Sequence, residues 1–158
     1  LLPLNTQSSK RPKLAHTVLL IHSYFRWLVL VAAFAAAAKN AIGYSDGRVW
    51  TQADRRAGLF LMIAIDVQFL IGIVVYGLSP ITRGAMADMA TAMKTADVRK
   101  IAVEHPVMML AALILVHVGN VASRKATTDR GRFGRAALFF GLALLIMFLG
   151  IPKWRISS

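Results

Sequence analysis

Two side chains able to do chemistry, His22 and Arg26, lie inside a strongly apolar stretch of the chain. Their spacing of four residues places them on one face of a helix. The surrounding run, residues 16–38, is long and apolar enough to span a bilayer. An ionisable group at membrane depth turns inward toward a partner, a cavity or a cofactor. We therefore expect His22 and Arg26 to meet polar side chains from other membrane spans.

The composition is that of an integral membrane protein. Apolar residues make up 57% of the 158 residues and charged residues 16%, which is too apolar for a soluble domain of this length. The net charge of +12 comes from Lys and Arg residues that lie between the apolar runs, where they meet lipid headgroups rather than nucleic acid. The absence of cysteine excludes disulfides, thiolate-bound clusters and covalently attached haem.

The hydropathy pattern predicts an all-α transmembrane four-helix bundle. Residues 1–15 form a surface arm, and residues 16–158 form a single membrane domain. The predicted spans are residues 16–38, 57–78, 105–122 and 136–151. The alanine run in the second half of the first span provides small side chains that allow another helix to pack closely. Both chain ends then lie on one side of the membrane, which we name side A, and the opposite side is side B.

Three further features complete the predicted architecture. Between the second and third spans, Met86, Met89 and Met93 recur at helical spacing, which predicts an interfacial amphipathic helix. Thr51 and Asp54 resemble a capping arrangement that begins the second span. Lys and Arg residues divide equally between the two sides, so their distribution does not orient the protein.

The depth of each polar residue along its span predicts two polar clusters. The first lies near side A and contains four residues: His22, Arg26, Glu104 and His105. His105 is expected to be somewhat shallower than His22. The second cluster lies deeper, where Asp66 and His117 are natural neighbours and Gln68 also needs a hydrogen-bond partner.

Several short motifs in order along the chain resemble a family of small bacterial four-helix membrane proteins loosely named "cytochrome b-like". The motifs are His22-Ser23-x-x-Arg26-Trp27, Gln68-x-x-x-Gly72 before Ser79-Pro80, Val103-Glu104-His105 with Met108-Met109, and Ile151-Pro152 with Trp154 just beyond. The likeness covers residues 18–155. It implies non-covalent haem b and a role beside respiratory quinone chemistry in the bacterial cytoplasmic (inner) membrane. Pro106 and Lys153 depart from the usual pattern.

Haem ligation is the sharpest hypothesis for the side A cluster. Two axial imidazoles require histidines on facing helices at similar depth, with an apolar slot between them and cations for the propionates. His22 and His105 are the best pair of iron ligands. Arg26 or Arg155 would meet a propionate, and Met109 would line the slot.

Other interpretations of the same residues remain open. His22, Arg26 and Glu104 would also suit a buried ion network that ties helices together, or a site for quinone, a proton or a metal ion. No phosphate-binding loop or nucleophile motif is present, so at most a redox component is expected. The two functional hypotheses are a haem-bearing or quinone-linked electron-transfer subunit, and a non-catalytic accessory subunit of a larger membrane complex, surrounded by lipid.

Overall fold

The computed structural model describes the backbone of residues 6–152 and the side chains of residues 13–152. The elements in this part are α1 (Thr6–Ser45), α2 (Gln52–Leu78), α3 (Pro80–Ala87), α4 (Met89–Lys94), α5 (Ala96–Arg99), a π-helical turn (Lys100–Glu104), α6 (His105–Arg124) and α7 (Asp129–Gly150). Helices α1, α2 and α7, and α6 with the segment before it, are long and apolar enough to cross a membrane. The predicted all-α bundle of four spans is confirmed.

The spanning helices extend beyond the predicted boundaries. Helix α1 begins at Thr6 rather than at residue 16, and α7 begins at Asp129 rather than at residue 136. Both continue into polar sequence, and α7 begins where the Thr128 hydroxyl accepts a hydrogen bond from the Gly131 N–H at 3.1 Å. The predicted cap of α2 is confirmed, since the Asp54 carboxylate accepts hydrogen bonds from the Thr51 N–H at 2.8 Å and the Thr51 hydroxyl at 2.6 Å.

Small residues bring the spanning helices together. Helix α1 packs against α2 and α7, and α6 packs against α7 and α2, so the four form a closed ring. Ala33 and Ala36 of the alanine run are buried in the central core, which confirms that this run is a packing surface. Because the core already contains these two side chains, that side of α1 is not available to another subunit.

Two glycines set the closest approaches near side B. A Cβ atom on Gly119 of α6 would lie 2.6 Å from the Phe139 Cβ of α7, and one on Gly43 of α1 would lie 2.5 Å from the Phe133 ring. Neither distance leaves room for a methyl group. The backbones of α6 and α1 therefore pack directly against phenylalanine side chains of α7 at these positions.

The segment between α2 and α6 differs in detail from the single amphipathic helix predicted there. It contains α3, α4, α5 and the π turn, and the breaks fall at Asp88 and Thr95. Asp88 caps α4 by accepting a hydrogen bond from the Thr91 N–H at 3.0 Å. The hydrogen bonds from the Thr91 hydroxyl and N–H hold the pKa of Asp88 below its usual value. A small apolar core of Ala85, Ala92 and Ala102 holds the segment together.

The outward faces of the spans are apolar. Val31, Phe34, Leu70, Val107 and Phe148 are between 61% and 65% exposed. In a bilayer these side chains contact acyl chains, as expected for a multi-pass membrane protein.

Candidate functional site

A cavity of about 570 Å³ lies near side A between the spanning helices. This volume falls within the range of small-molecule sites. Most of its lining is apolar, and its polar lining residues include His16, His22, Arg26, Gln68, Tyr76 and His105. The three predicted members His22, Arg26 and His105 thus share one cavity.

His22 of α1 is held against α2. The Gln68 side-chain amide donates to the His22 carbonyl at 3.0 Å, and its nitrogen lies 3.4 Å from His22 Nε2. Gly72 allows the ring to come close, because a Cβ there would lie 3.2 Å from His22 Cε1. His22 Nδ1 and Gln68 Oε1 are buried and have no hydrogen-bond partner within the described residues. These two buried polar atoms at the α1–α2 side of the cavity would therefore need a hydrogen-bond partner from a bound molecule or water.

His105 of α6 is oriented by α7. Its Nδ1 lies 3.0 Å from the Gly150 carbonyl oxygen, which can only accept, so Nδ1 carries the proton and the neutral ring has its lone pair on Nε2. The His22 and His105 ring centres are 6.3 Å apart and their planes are nearly perpendicular, at 86°. The two imidazoles, from separate spans, are therefore close neighbours in the cavity.

The π turn and its neighbours position His105. The His105 N–H donates to the Lys100 carbonyl across the wide turn, and the Tyr76 hydroxyl of α2 donates to the Ala102 carbonyl at 2.9 Å. The Thr82 hydroxyl in turn donates to the Tyr76 carbonyl. The turn is thus tied to α2 and α3, and a π turn next to a cavity is a common feature of functional sites.

Arg26 and Met109 both line the cavity. The Arg26 guanidinium lies 5.2 Å from the centre of the Trp27 ring, a distance at which the cation is attracted to the aromatic face. Met109 lies beside Gly150, where a Cβ would be 2.6 Å from the Met109 Cε. The absence of a side chain at Gly150 therefore makes room for Met109 as well as exposing the carbonyl that His105 uses.

Glu104 does not line the cavity with the histidines. Its carboxylate pairs with Arg99 at 2.9 Å and Lys100 at 3.4 Å, and its side chain is 38% exposed. These two cations precede it by only five and four residues, so the carboxylate finds its partners within its own stretch of chain. Of the four residues predicted to form the side A cluster, His22, Arg26 and His105 line one cavity and Glu104 does not.

Asp66 and His117 form the second cluster between α2 and α6. His117 Nε2 lies 3.5 Å from the Asp66 carboxylate, and the two side chains are 40% and 39% exposed. His117 Nδ1 donates to the Leu113 carbonyl at 3.0 Å. Gln68 does not join them, because a separation of two residues turns it roughly 200° around the helix from Asp66.

One predicted site residue lies outside the described part of the chain, and two groups at the cavity were not predicted from the sequence. The predicted Arg155 and the neighbouring Lys153 and Trp154 lie outside the described residues. His16 lines the cavity but was not a candidate. The Gly150 carbonyl was also missed, since a backbone acceptor leaves no signal in a residue pattern.

Two general observations bear on the chemistry. Within residues 13–152, His, Asp and Glu side chains form no group of three or more that could hold a metal ion by themselves. Residues from each motif of the resemblance line the cavity, among them His22, Gln68, Ser79, His105 and Ile151.

No family model, curated protein or solved structure matches the chain.

Proposed function

We propose that this protein is a small membrane electron-transfer subunit that binds haem b in the side A cavity, with His22 and His105 as iron ligands. The observation that carries the proposal is the placement of these two imidazoles, from separate spans, in one apolar cavity with ring centres 6.3 Å apart. Rings whose centres are this far apart leave room for one metal ion between them at the usual metal–nitrogen distance of about 2 Å.

The hydrogen bonding of each histidine is compatible with this role. The Gly150 carbonyl fixes the tautomer of His105 and leaves Nε2 free to bind a metal, which is the usual arrangement around a ligating imidazole. His22 Nδ1 is buried and bonded to no described residue, while His22 Nε2 lies 3.4 Å from the Gln68 amide nitrogen. Gln68 holds the α1 backbone at His22 in place through the carbonyl.

Other residues would bind the remaining parts of the cofactor. Arg26 supplies a cation for a propionate, and Met109 with the apolar lining excludes water. Haem, when bound, supplies one-electron redox chemistry.

A spectrum of the purified protein tests this proposal. Protein expressed with adequate haem supply and purified in mild detergent should show a b-type reduced-minus-oxidised difference spectrum, at about one haem per chain. Haem-free protein should take up added haemin to the same limit. A preparation that has no bound haem and does not saturate with added haemin contradicts the proposal.

A second function, an accessory subunit of a larger membrane complex, is favoured by the Asp66 and His117 pair. These side chains are 39% and 40% exposed near the middle of their spans, and a charged group facing lipid costs about 2.5–3.5 kcal/mol at that depth. A helix of a partner subunit would cover the pair and remove part of this cost.

Co-purification tests the second function. In mild detergent the protein should retain a defined membrane partner, and Asp66→Asn with His117→Gln should release it. The matched control is Asp46→Asn in the loop before α2, which should have no effect. A homogeneous monomer from wild-type membranes, or a partner that the double variant still binds, contradicts this function.

A further inference from the structure

A second cavity, of about 540 Å³, lies at side B and is separate from the histidine site. It is formed where α6 ends, α2 begins and the first turn of α7 passes. We call it the side B pocket, and its lining residues are Trp50, Thr51, Gln52, Arg55, Val121, Arg124, Lys125 and Arg132. Four of these are cationic, and none is acidic.

Two of the four cations are positioned by the ends of helices. Arg124 Nε donates to the Asn120 carbonyl at 3.2 Å, and Arg132 Nε donates to the Ala126 carbonyl at 3.1 Å. Arg132 also pairs with Asp129 at 3.3 Å, which neutralises part of its charge. The Nη1 and Nη2 groups of Arg124 have no protein partner among the described residues.

The other two cations are not compensated by the protein. Within the described part of the chain, Arg55 and Lys125 make no side-chain hydrogen bond or ion pair. The nearby buried carboxylate of Asp54 is already paired with Lys39 at 2.7 Å. The side B pocket therefore gathers about three uncompensated positive charges around one cavity, an arrangement that repels itself until an anion enters.

We propose that the side B pocket binds a phosphate group, carried either by an anionic phospholipid or by a free phosphate ion. The planar guanidinium of Arg donates two parallel hydrogen bonds to phosphate oxygens. The beginning of α2 at Thr51 and Gln52 adds the positive end of a helix dipole. Trp50 is typical of the interfacial level at which headgroups lie, and basic pockets between spanning helices bind phospholipid headgroups.

Thermal stability of the full chain in neutral detergent measures the binding. The probes are short-chain phosphatidylglycerol, short-chain phosphatidylcholine and inorganic phosphate, each titrated separately. Stabilisation by phosphatidylglycerol alone supports a lipid headgroup as the source. Stabilisation by inorganic phosphate as well supports recognition of the phosphate itself. If neither phosphatidylglycerol nor phosphate raises the melting temperature, the proposal is wrong.

A matched pair of variants separates the pocket from general surface charge. Each cation near anionic lipid strengthens binding about fivefold. The double variant Arg55→Gln with Arg124→Gln should therefore raise the half-saturating concentration of the probe by roughly 25-fold. Arg56→Gln with Arg130→Gln removes the same charge from residues outside the lining and should change it by no more than about twofold. Equal weakening in the two variants overturns the proposal. If the first variant does not fold, Lys125→Gln should still weaken binding about fivefold.

Discussion

Replacing His105 with alanine is expected to abolish stable haem binding by the chain. In the proposed site His105 would be one of the two iron ligands, and its ring is fixed by the Gly150 carbonyl at 3.0 Å. Loss of an outer partner of a ligand weakens metal binding by about 10–100-fold, so loss of the ligand itself should exceed about 100-fold. Titration of the purified variant with haemin, followed by the difference spectrum, measures the effect.

His117→Ala is the matched control for this prediction. It removes an imidazole from the same helix, but His117 pairs with Asp66 rather than lining the side A cavity. Haem binding by this variant should remain within about twofold of the wild type, since no ligand is lost. His22→Ala should reproduce the loss seen with His105→Ala. If both His22→Ala and His105→Ala bind haem as the wild type does, the assigned ligands are wrong.

Asp54→Ala is expected to destabilise the folded protein by about 2–4 kcal/mol. The Asp54 side chain is 1% exposed and pairs with Lys39 at 2.7 Å, while it also accepts two hydrogen bonds from Thr51. The substitution therefore removes a helix cap and leaves a cation without its anion. Because Lys39 is 34% exposed, its ammonium can turn toward water, which keeps the cost below that of a fully buried pair.

Unfolding by increasing mole fraction of SDS in mixed micelles, followed by circular dichroism, measures this loss. The control is Asp46→Ala, since Asp46 is exposed in the same loop region and its removal should cost less than about 0.5 kcal/mol. An Asp54→Ala protein as stable as the wild type would show that α2 does not depend on this cap.

Features that depend on nearby residues could be predicted from the sequence. The four spans follow from apolar runs, the start of α2 from Thr51 and Asp54, and the packing of Ala33 and Ala36 from the alanine run. Each depends on composition or on spacings of a few residues. The placement of His22 and His105 in one cavity agrees with their expected proximity to side A.

Features that depend on the rotation of one helix against another could not be predicted in this way. Glu104 was assigned to the histidine cluster from its position along the span, but Arg99 and Lys100 lie closer to it in space. Gln68 was grouped with the second cluster as a side chain in need of a partner, and that partner is the His22 carbonyl of α1. The sequence also did not predict that the Asn120 amide of α6 donates a hydrogen bond to the Gly58 carbonyl of α2 at 3.0 Å, because the two residues are 62 positions apart.

The π turn at Lys100–Glu104 lets this part of the chain hold one residue more than a continuous α-helix while His105 still faces the cavity. A π turn carries about one more residue than the α-helical turn it replaces. Deleting a single residue there would restore continuous α geometry and leave the direction of His105 relative to the preceding segment nearly unchanged, because five residues of π turn and four of α-helix rotate the chain by about the same angle. A chain shortened by one residue at this point would therefore keep its four spans, its core and the approach of its two imidazoles. The same deletion in an α-helical part of a span would instead turn everything beyond it by roughly 100°.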